Sequence, residues 1–233
     1  MSSELISALI SRVSKQGLSY LDKAALAELG ETVIAIEEQQ IPGIVLEAGC
    51  ALGGSGIVIA ASKALSRDFY IYDVFGMIPP PSRHDGADVF ERYALIKSGK
   101  SSGINGEMYY GYENDLYEKV RKNFKDFGFD PAQQNIHFTK GLYEHSLHVH
   151  SSVAFAHIDC DWYESVTTCL QRIEPWLATN VILVIDDYDT WSGCRTAVDE
   201  YFSDKKKHFS FERKSRLHIK KISAEPKHEN HHF

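Results

Sequence analysis

The sequence predicts an α/β protein: a doubly wound, mostly parallel sheet of about seven strands, helices on both faces, and a C-terminal antiparallel hairpin. Three observations carry this expectation. Short apolar runs without period-two alternation recur along the chain, as expected of strands buried on both faces. Segments with apolar residues three and four apart separate most of them, the alternation that builds parallel sheets. The run IPGIVLEAGC passes straight into the glycine-rich ALGGSG, and helical spacing follows in IVIAASKAL.

The elements follow in order. SELISALISRV and DKAALAELGETVIAIEEQ read as two amphipathic helices, a cover formed by residues 1–40. Residues 41–223 make the main domain, with strands in IPGIVLEAGC, DFYIYDVF, NIHFTKG, SSVAFAHIDCD and NVILVIDDYD. A helix in YENDLYEKVRKNFKDFG stops at Gly128, near the Asp130-Pro131 turn. YESVTTCLQRIEPWL reads as another, and GCRTAVDEYF as a third beginning near Ser192. HFSFERK and RLHIKKIS alternate and are close enough to pair as a hairpin, an antiparallel addition to the sheet. The polar stretch AEPKHENHHF, 224–233, has no core face and reads as a disordered tail. Residues 76–111 are too long for an ordinary connection and hold a short helical piece, DVFERYALI, so they read as a lid or substrate loop.

Composition narrows the function classes. At 233 residues the chain supports one full-sized core. With 25 basic and 32 acidic residues the net charge is -7, which gives no overall attraction to nucleic acid or an anionic membrane and favours a small polar acceptor. The four cysteines form no C-x-x-C pair, so reduced thiols are expected. No long apolar run marks a signal peptide or a membrane span, and a cytoplasmic location is expected.

The chemistry gathers at strand ends. Gly49, Gly53 and Gly54 give a ligand room to approach the backbone, and Ser55 is placed to cap the helix that follows. Ala51 stands at the second glycine position of a dinucleotide fingerprint, and no lysine follows to make a phosphate loop of the nucleotide-hydrolase kind. Glu47 closes the first strand and Asp73 the second, where a carboxylate can accept hydrogen bonds from ribose hydroxyls. An acidic mouth suits a nucleoside cofactor with a cationic centre, such as S-adenosylmethionine. The alternative is that Asp73 caps its own turn. Gly141, ending NIHFTKG, and Asp159 join the expected cofactor-binding set.

Two aspartate pairs end later strands: Asp159 and Asp161 in HIDCD, Asp186 and Asp187 in VILVIDD. Carboxylates at adjacent strand ends offer a hard cation such as magnesium its oxygen ligands, and Asp159, Asp186 and Asp187 make a three-carboxylate set. If the segment is extended, Asp159 and Asp161 share a face, so one binds metal while the other takes a proton. Helix capping is the alternative for Asp161 and the favoured reading for Asp189. His157 lies in an apolar run and reads as a core or near-site histidine, while His145, His148 and His150 read as a solvated loop. Tyr109, Tyr110, Tyr112, Trp162 and Tyr163 are either core or stacking surfaces for an acceptor. Arg195 either binds an acidic substrate or pairs with Asp189.

Taken together, VLEAGCALGGSG, YDVFGMIPPP, FTKGLYEHSL, HIDCDWYES, VILVIDDYD and GCRTAVDEYF resemble the macrocin O-methyltransferase family over about residues 40–205. The D-x-D-x-Y-E-S and D-D-Y signatures are the most specific part. The resemblance implies a Rossmann-like methyltransferase fold and a magnesium-dependent methyl transfer from S-adenosylmethionine to a sugar or other polyhydroxylated acceptor. It also implies that Asp159, Asp186 and Asp187 hold the metal and that Asp161 is the general base. The chain departs from the family at Ala51 and Leu52, where an aromatic and an arginine often stand, and in its short N-terminal segment. A catechol or phenol acceptor, and a non-catalytic S-adenosylmethionine-binding protein, are the alternatives. Apolar faces on the N-terminal helices leave room for a homo-oligomer.

Overall fold

The computed structural model describes residues 3–223; the tail expected at 224–233 lies outside the described residues. Seven strands form one sheet: β1 (Ile44–Ala48), β2 (Phe69–Asp73), β3 (Ile136–Lys140), β4 (Val153–Ile158), β5 (Leu177–Ile185), β6 (Phe209–Arg213) and β7 (Leu217–Lys221). Their spatial order is β3-β2-β1-β4-β5-β7-β6. The first five run parallel, and β7 pairs antiparallel with both β5 and β6. The fold class expected from the sequence is therefore the one observed, with the hairpin on the edge. Because the chain winds outward from β1 in one direction and from β4 in the other, a crevice opens between their carboxyl ends.

Helices cover both faces. On one lie α1 (Ser3–Lys15), α2 (Lys23–Glu38), α3 (Gly54–Ser62) and α5 (Leu116–Asp126). They bury Leu26, Leu29, Val33, Ile57, Val120 and Phe124 against Val45, Phe69, Ile71 and Phe155 of the sheet. On the other, α7 (Tyr163–Ile173) and α8 (Ser192–Tyr201) bury Val166, Leu170, Ile173, Ala197 and Val198 against Leu46, Ala156, Ile158 and Leu183. Strand residues of adjacent number thus belong to different cores, which is why the strands read as continuous apolar runs.

Local chemistry explains most element ends. Asp22 accepts the Ala25 amide at 2.9 Å and Asp115 the Glu118 amide at 3.2 Å, starting α2 and α5. Past the end of α5, Gly128 takes φ 87 and the Phe129 amide closes back on the Phe124 carbonyl at 2.9 Å, a glycine-terminated helix end. The helical spacing expected through Leu177 ends earlier. Pro175 converts the chain to a 3-10 turn at Glu174–Trp176, and Leu177 already begins β5, whose pairing with β4 is irregular between Val153 and Phe155. In YEHS, a four-residue helix, α6 (Tyr143–Ser146), lies where the sequence reads as loop.

The long insertion is folded. It carries α4 (Ala87–Lys97), and Ile78, Val89, Ile96 and Tyr109 form a small apolar cluster with Trp162, joined by half-buried Trp191. Among the described residues no helix is long and apolar enough to cross a membrane.

Candidate active site

A cavity of about 270 Å³ lies at the carboxyl ends of β1, β2, β4 and β5. The sheet determines which residues reach it. Glu47 of β1 is in register with His157 of β4, and His157 with Val184 of β5, so the three point to one face. Two residues further along come Gly49, Asp159 and Asp186, which line the cavity with Asp73. The ladder continues past the strands: the Asp159 amide donates to the Ala48 carbonyl at 2.8 Å, and the Asp186 amide to the Ile158 carbonyl at 2.9 Å. Rigid backbone thus positions both carboxylates.

Asp161 and Asp187 reach the cavity by another route. Extended geometry was expected to put Asp161 on the face of Asp159, but β4 ends at Ile158 and Asp161 has φ 58. A left-handed residue turns the chain, and the Asp161 amide donates to Asp187 Oδ2 at 3.2 Å. Neither capping alternative holds: Trp162 and Trp191 occupy the positions before α7 and α8, without side-chain caps. Asp189 instead meets Arg213 at 3.3 Å and Arg195 at 3.8 Å, which resolves Arg195 toward pairing.

The glycine-rich turn divides into residues that face the cavity and residues that hold the turn. Gly49 has φ 89, and a Cβ there would lie 1.7 Å from the Asp159 carbonyl oxygen, so only glycine lets the ends of β1 and β4 cross. Ala51 adopts φ 44 despite its side chain. Asp73 accepts the Cys50 amide at 2.8 Å and the Phe75 amide at 2.6 Å, so it does cap its own turn while its carboxyl group faces the cavity. Gly141 lines the same wall.

Glu47, Gly54 and Ser55, expected to touch a cofactor, do not line the cavity. The Gly54 amide is spent on the Leu18 carbonyl at 2.9 Å. Ser55 is buried inside α3, whose cap position is Gly53, with φ 89 and no side-chain bond. Glu47 is fully buried, with Oε1 at 3.0 Å from His157 Nδ1 and Oε2 without a hydrogen-bond partner. These three residues build the floor beneath the turn.

Charge is unevenly spread over the cluster. Burial first, then the neighbouring charges of Asp186, Asp187 and Asp161, pushes the Asp159 carboxyl well above its ordinary range. Asp187 is raised for the same reasons, by burial and then by Asp161 and Asp186. Burial raises Asp161 to about 6, with the Asp186 charge adding to it and a Trp191 hydrogen bond and Arg92 opposing it. Asp186 goes the other way: burial would raise it, yet His157 and Arg216 hold it below its usual value. Arg216 Nε donates to Asp186 Oδ1 at 2.6 Å, and His157 Nε2 lies 3.9 Å from the same atom, an ion-pair distance too long for a hydrogen bond. Burial works against a charged His157, but its two carboxylate neighbours raise it to about 9.

Three carboxylates that repel one another in a confined, oxygen-rich site fit a hard divalent cation. His157, Asp159 and Asp186 each offer a ligand atom within 4.8 Å of the others; Asp187 lies outside that tight group, on the Asp161 side. Sequence reasoning missed Arg216, which a hairpin 30 residues away delivers, and Arg92, Tyr20 and Trp191, which also line the cavity. Of the aromatic candidates, Tyr109, Tyr110 and Trp162 line the cavity, while Tyr112 bonds the Ile96 carbonyl and Tyr163 bonds Glu200.

Known proteins resemble this chain in sequence and in fold. The chain is 30% identical over 195 residues to the 8-demethyl-8-(2,3-dimethoxy-alpha-L-rhamnosyl)-tetracenomycin-C 4'-O-methyltransferase of Streptomyces olivaceus, covering 79% of this chain and 66% of that protein. It is 25% identical over 182 residues to the demethyldecarbamoylnovobiocin O-methyltransferase of Streptomyces niveus, covering 76% and 64%. The chain thus spans about two thirds of the length of these curated relatives. The solved O-methyltransferase NovP superposes with a TM-score of 0.72 at 21% identity, over 89% of this chain and 83% of that one, a likeness of fold. The family model for macrocin-O-methyltransferase (TylF) matches residues 11–212, taking in the glycine-rich turn, the insertion and both aspartate pairs; the chain belongs to that family.

Proposed function

We propose that this chain is an S-adenosylmethionine-dependent, divalent-metal-dependent O-methyltransferase acting on a hydroxyl of a sugar or other polyhydroxylated small molecule. The observation that carries the reading is the convergence of Asp159, Asp161, Asp186 and Asp187 on one cavity beside the β1 glycine turn. Both named relatives of similar sequence are O-methyltransferases, and the first acts on a rhamnosyl-bearing tetracenomycin.

In this reading Asp159, Asp186 and Asp187 supply the oxygens for the metal, with magnesium the best match to an all-carboxylate set. When bound, the ion lowers the pKa of an acceptor hydroxyl and offsets developing alkoxide charge. His157, 3.0 Å from Glu47 and 3.9 Å from Asp186, is raised to about 9 by these two carboxylates and serves in this reading as their counter-charge. Asp161 takes the hydroxyl proton as the acceptor oxygen bonds to the methyl carbon and the carbon–sulfur bond breaks. Asp73, Gly49 and Gly141 bind the nucleoside cofactor at the β1–β2 side of the cavity. Tyr20, Tyr109, Tyr110 and Trp162 form the acceptor wall, whose ring faces suit a sugar.

The test is radiolabelled methyl transfer to a panel of glycosides, with and without EDTA, beside calorimetry with S-adenosylhomocysteine. Binding of the nucleoside together with EDTA-sensitive transfer is expected. Failure to bind S-adenosylhomocysteine sinks the reading.

A further inference from the structure

Two arginines line the cavity, and they differ in what holds them. Arg216 is committed to Asp186 at 2.6 Å and lies 3.7 Å from Asp22. Arg92, from α4 of the insertion, is half-buried and has no carboxylate partner among the described residues. Its guanidinium lies 5.6 Å from the centroid of the Tyr109 ring. Among the described residues its guanidinium makes no hydrogen bond, and the charge it faces is that of Asp161, beyond ion-pair distance. Five donors, half withdrawn from water and facing a ligand cavity, are an arrangement that favours a planar or tetrahedral oxyanion.

The acidic residues of the cavity bear on the same point. Asp73, Asp159, Asp161, Asp186 and Asp187 all face the same space, so any anionic part of a ligand is repelled from the sheet end and drawn toward Arg92. An acceptor with an acidic group at one end and a hydroxyl at the other would be turned so that the hydroxyl meets Asp161. Tyr109, Tyr110 and Trp162 line the same cavity and supply aromatic surface for a sugar ring. A neutral acceptor offers the half-buried guanidinium only hydroxyl oxygens in exchange for water, whereas an oxyanion offers a charge-assisted pair, and that difference is the basis of selectivity.

We propose that Arg92 is a specificity-determining residue that recognises an oxyanion on the acceptor, so that the substrate of this chain is an acidic sugar carrying a phosphate or a carboxylate. The inference rests on the methyltransferase reading of the cavity and names its acceptor class. Arg92 also draws Asp161 downward, and a role confined to that effect would change turnover with every acceptor alike.

The test is calorimetry on the full chain saturated with S-adenosylhomocysteine and magnesium, using glucose 1-phosphate, glucuronate and methyl glucoside as probes. Wild type is expected to bind one of the two anions roughly 10- to 100-fold more tightly than methyl glucoside, a span typical of a charge-assisted pair. Whichever anion shows the preference identifies phosphate or carboxylate as the source. Arg92→Gln is expected to erase the preference by weakening the favoured anion at least tenfold more than methyl glucoside, and Arg92→Lys to keep part of it. Equal binding of all three probes by wild type overturns the proposal, and so does an Arg92→Gln variant, folded by its melting curve, that weakens all three equally. If S-adenosylhomocysteine binds and neither anion does, this proposal fails and the methyltransferase reading stands; if S-adenosylhomocysteine does not bind, that reading itself fails.

Discussion

Asp161 carries the heaviest demand of any single residue. Its φ of 58 is costly for a side chain with a Cβ, about 1 kcal/mol or more, and it persists because the Asp161 amide is held by Asp187. Strain of this kind is retained where it aims a reactive group. If Asp161 is the base, Asp161→Asn lowers kcat by roughly 10²- to 10⁴-fold while S-adenosylhomocysteine affinity in calorimetry stays within twofold. A silent Asp161→Asn beside an inactive Asp186→Asn would move the base elsewhere. Gly49 makes the complementary case, where the absence of a side chain is what matters. A Cβ 1.7 Å from the Asp159 carbonyl forces β1 and β4 apart, so Gly49→Ala is expected to destabilise the fold by about 2–4 kcal/mol, read from the shift in urea midpoint. Both residues were legible as site candidates in the sequence. Their reasons were not, because neither a left-handed turn after Ile158 nor a backbone crossing between β1 and β4 leaves a mark on one strand read alone.

The insertion shows how an element far outside the sheet is tied to it. Asp85 accepts the Tyr163 amide at 2.8 Å at the start of α7, and Asp88 accepts the Ser192 amide at 2.9 Å and the Ser192 hydroxyl at the start of α8. The two helices that follow the aspartate pairs are thus capped by the segment that covers the cavity, and not by Asp161 or Asp189. Carboxylates at helix N-termini satisfy otherwise unpaired amides and meet the positive end of the helix dipole. Asp88→Ala should cost about 1 kcal/mol of stability, with faster amide exchange confined to the first turn of α8 and to α4. Exchange spread evenly over the protein would show that the cap does not anchor the insertion. From sequence, DVFERYALI reads as a helix within a loop, but which helices its neighbours cap depends on pairing across 78 and 104 residues.

At the scale of the molecule, the hairpin closes the sheet through Glu174. This carboxylate is buried between Lys221 at 2.9 Å and Lys205 at 3.0 Å, and it joins the end of α7 to β7. Burial would raise it, but the hydrogen bonds and charges of the two ammonium groups outweigh burial and hold it below the ordinary value. A depressed folded-state pKa contributes stability that is present above the unfolded value of about 4.3 and lost as pH falls through the folded one. Wild type should therefore lose melting temperature steeply below about pH 4.5, and Glu174→Gln should show a flatter acid limb and about 3 kcal/mol less stability at pH 7. An acid limb unchanged by the substitution would assign the loss to other carboxylates. The sequence by itself determined the α/β alternation, the hairpin edge and the four aspartates, because apolar period, glycine placement and acidic strand ends are local patterns. It also pointed to the family, through motifs that sit at those ends. Only the tertiary structure decided that Glu47 and Gly54 lie beneath the turn and not in the cavity, that Arg216 and His157 give Asp186 its counter-charge, and that Arg92 lines the cavity of Asp161 without an ion pair among the described residues. The physical reason is the same for each: burial, charge balance and hydrogen-bond satisfaction are properties of what surrounds a side chain, and the surroundings here come from segments up to 110 residues away.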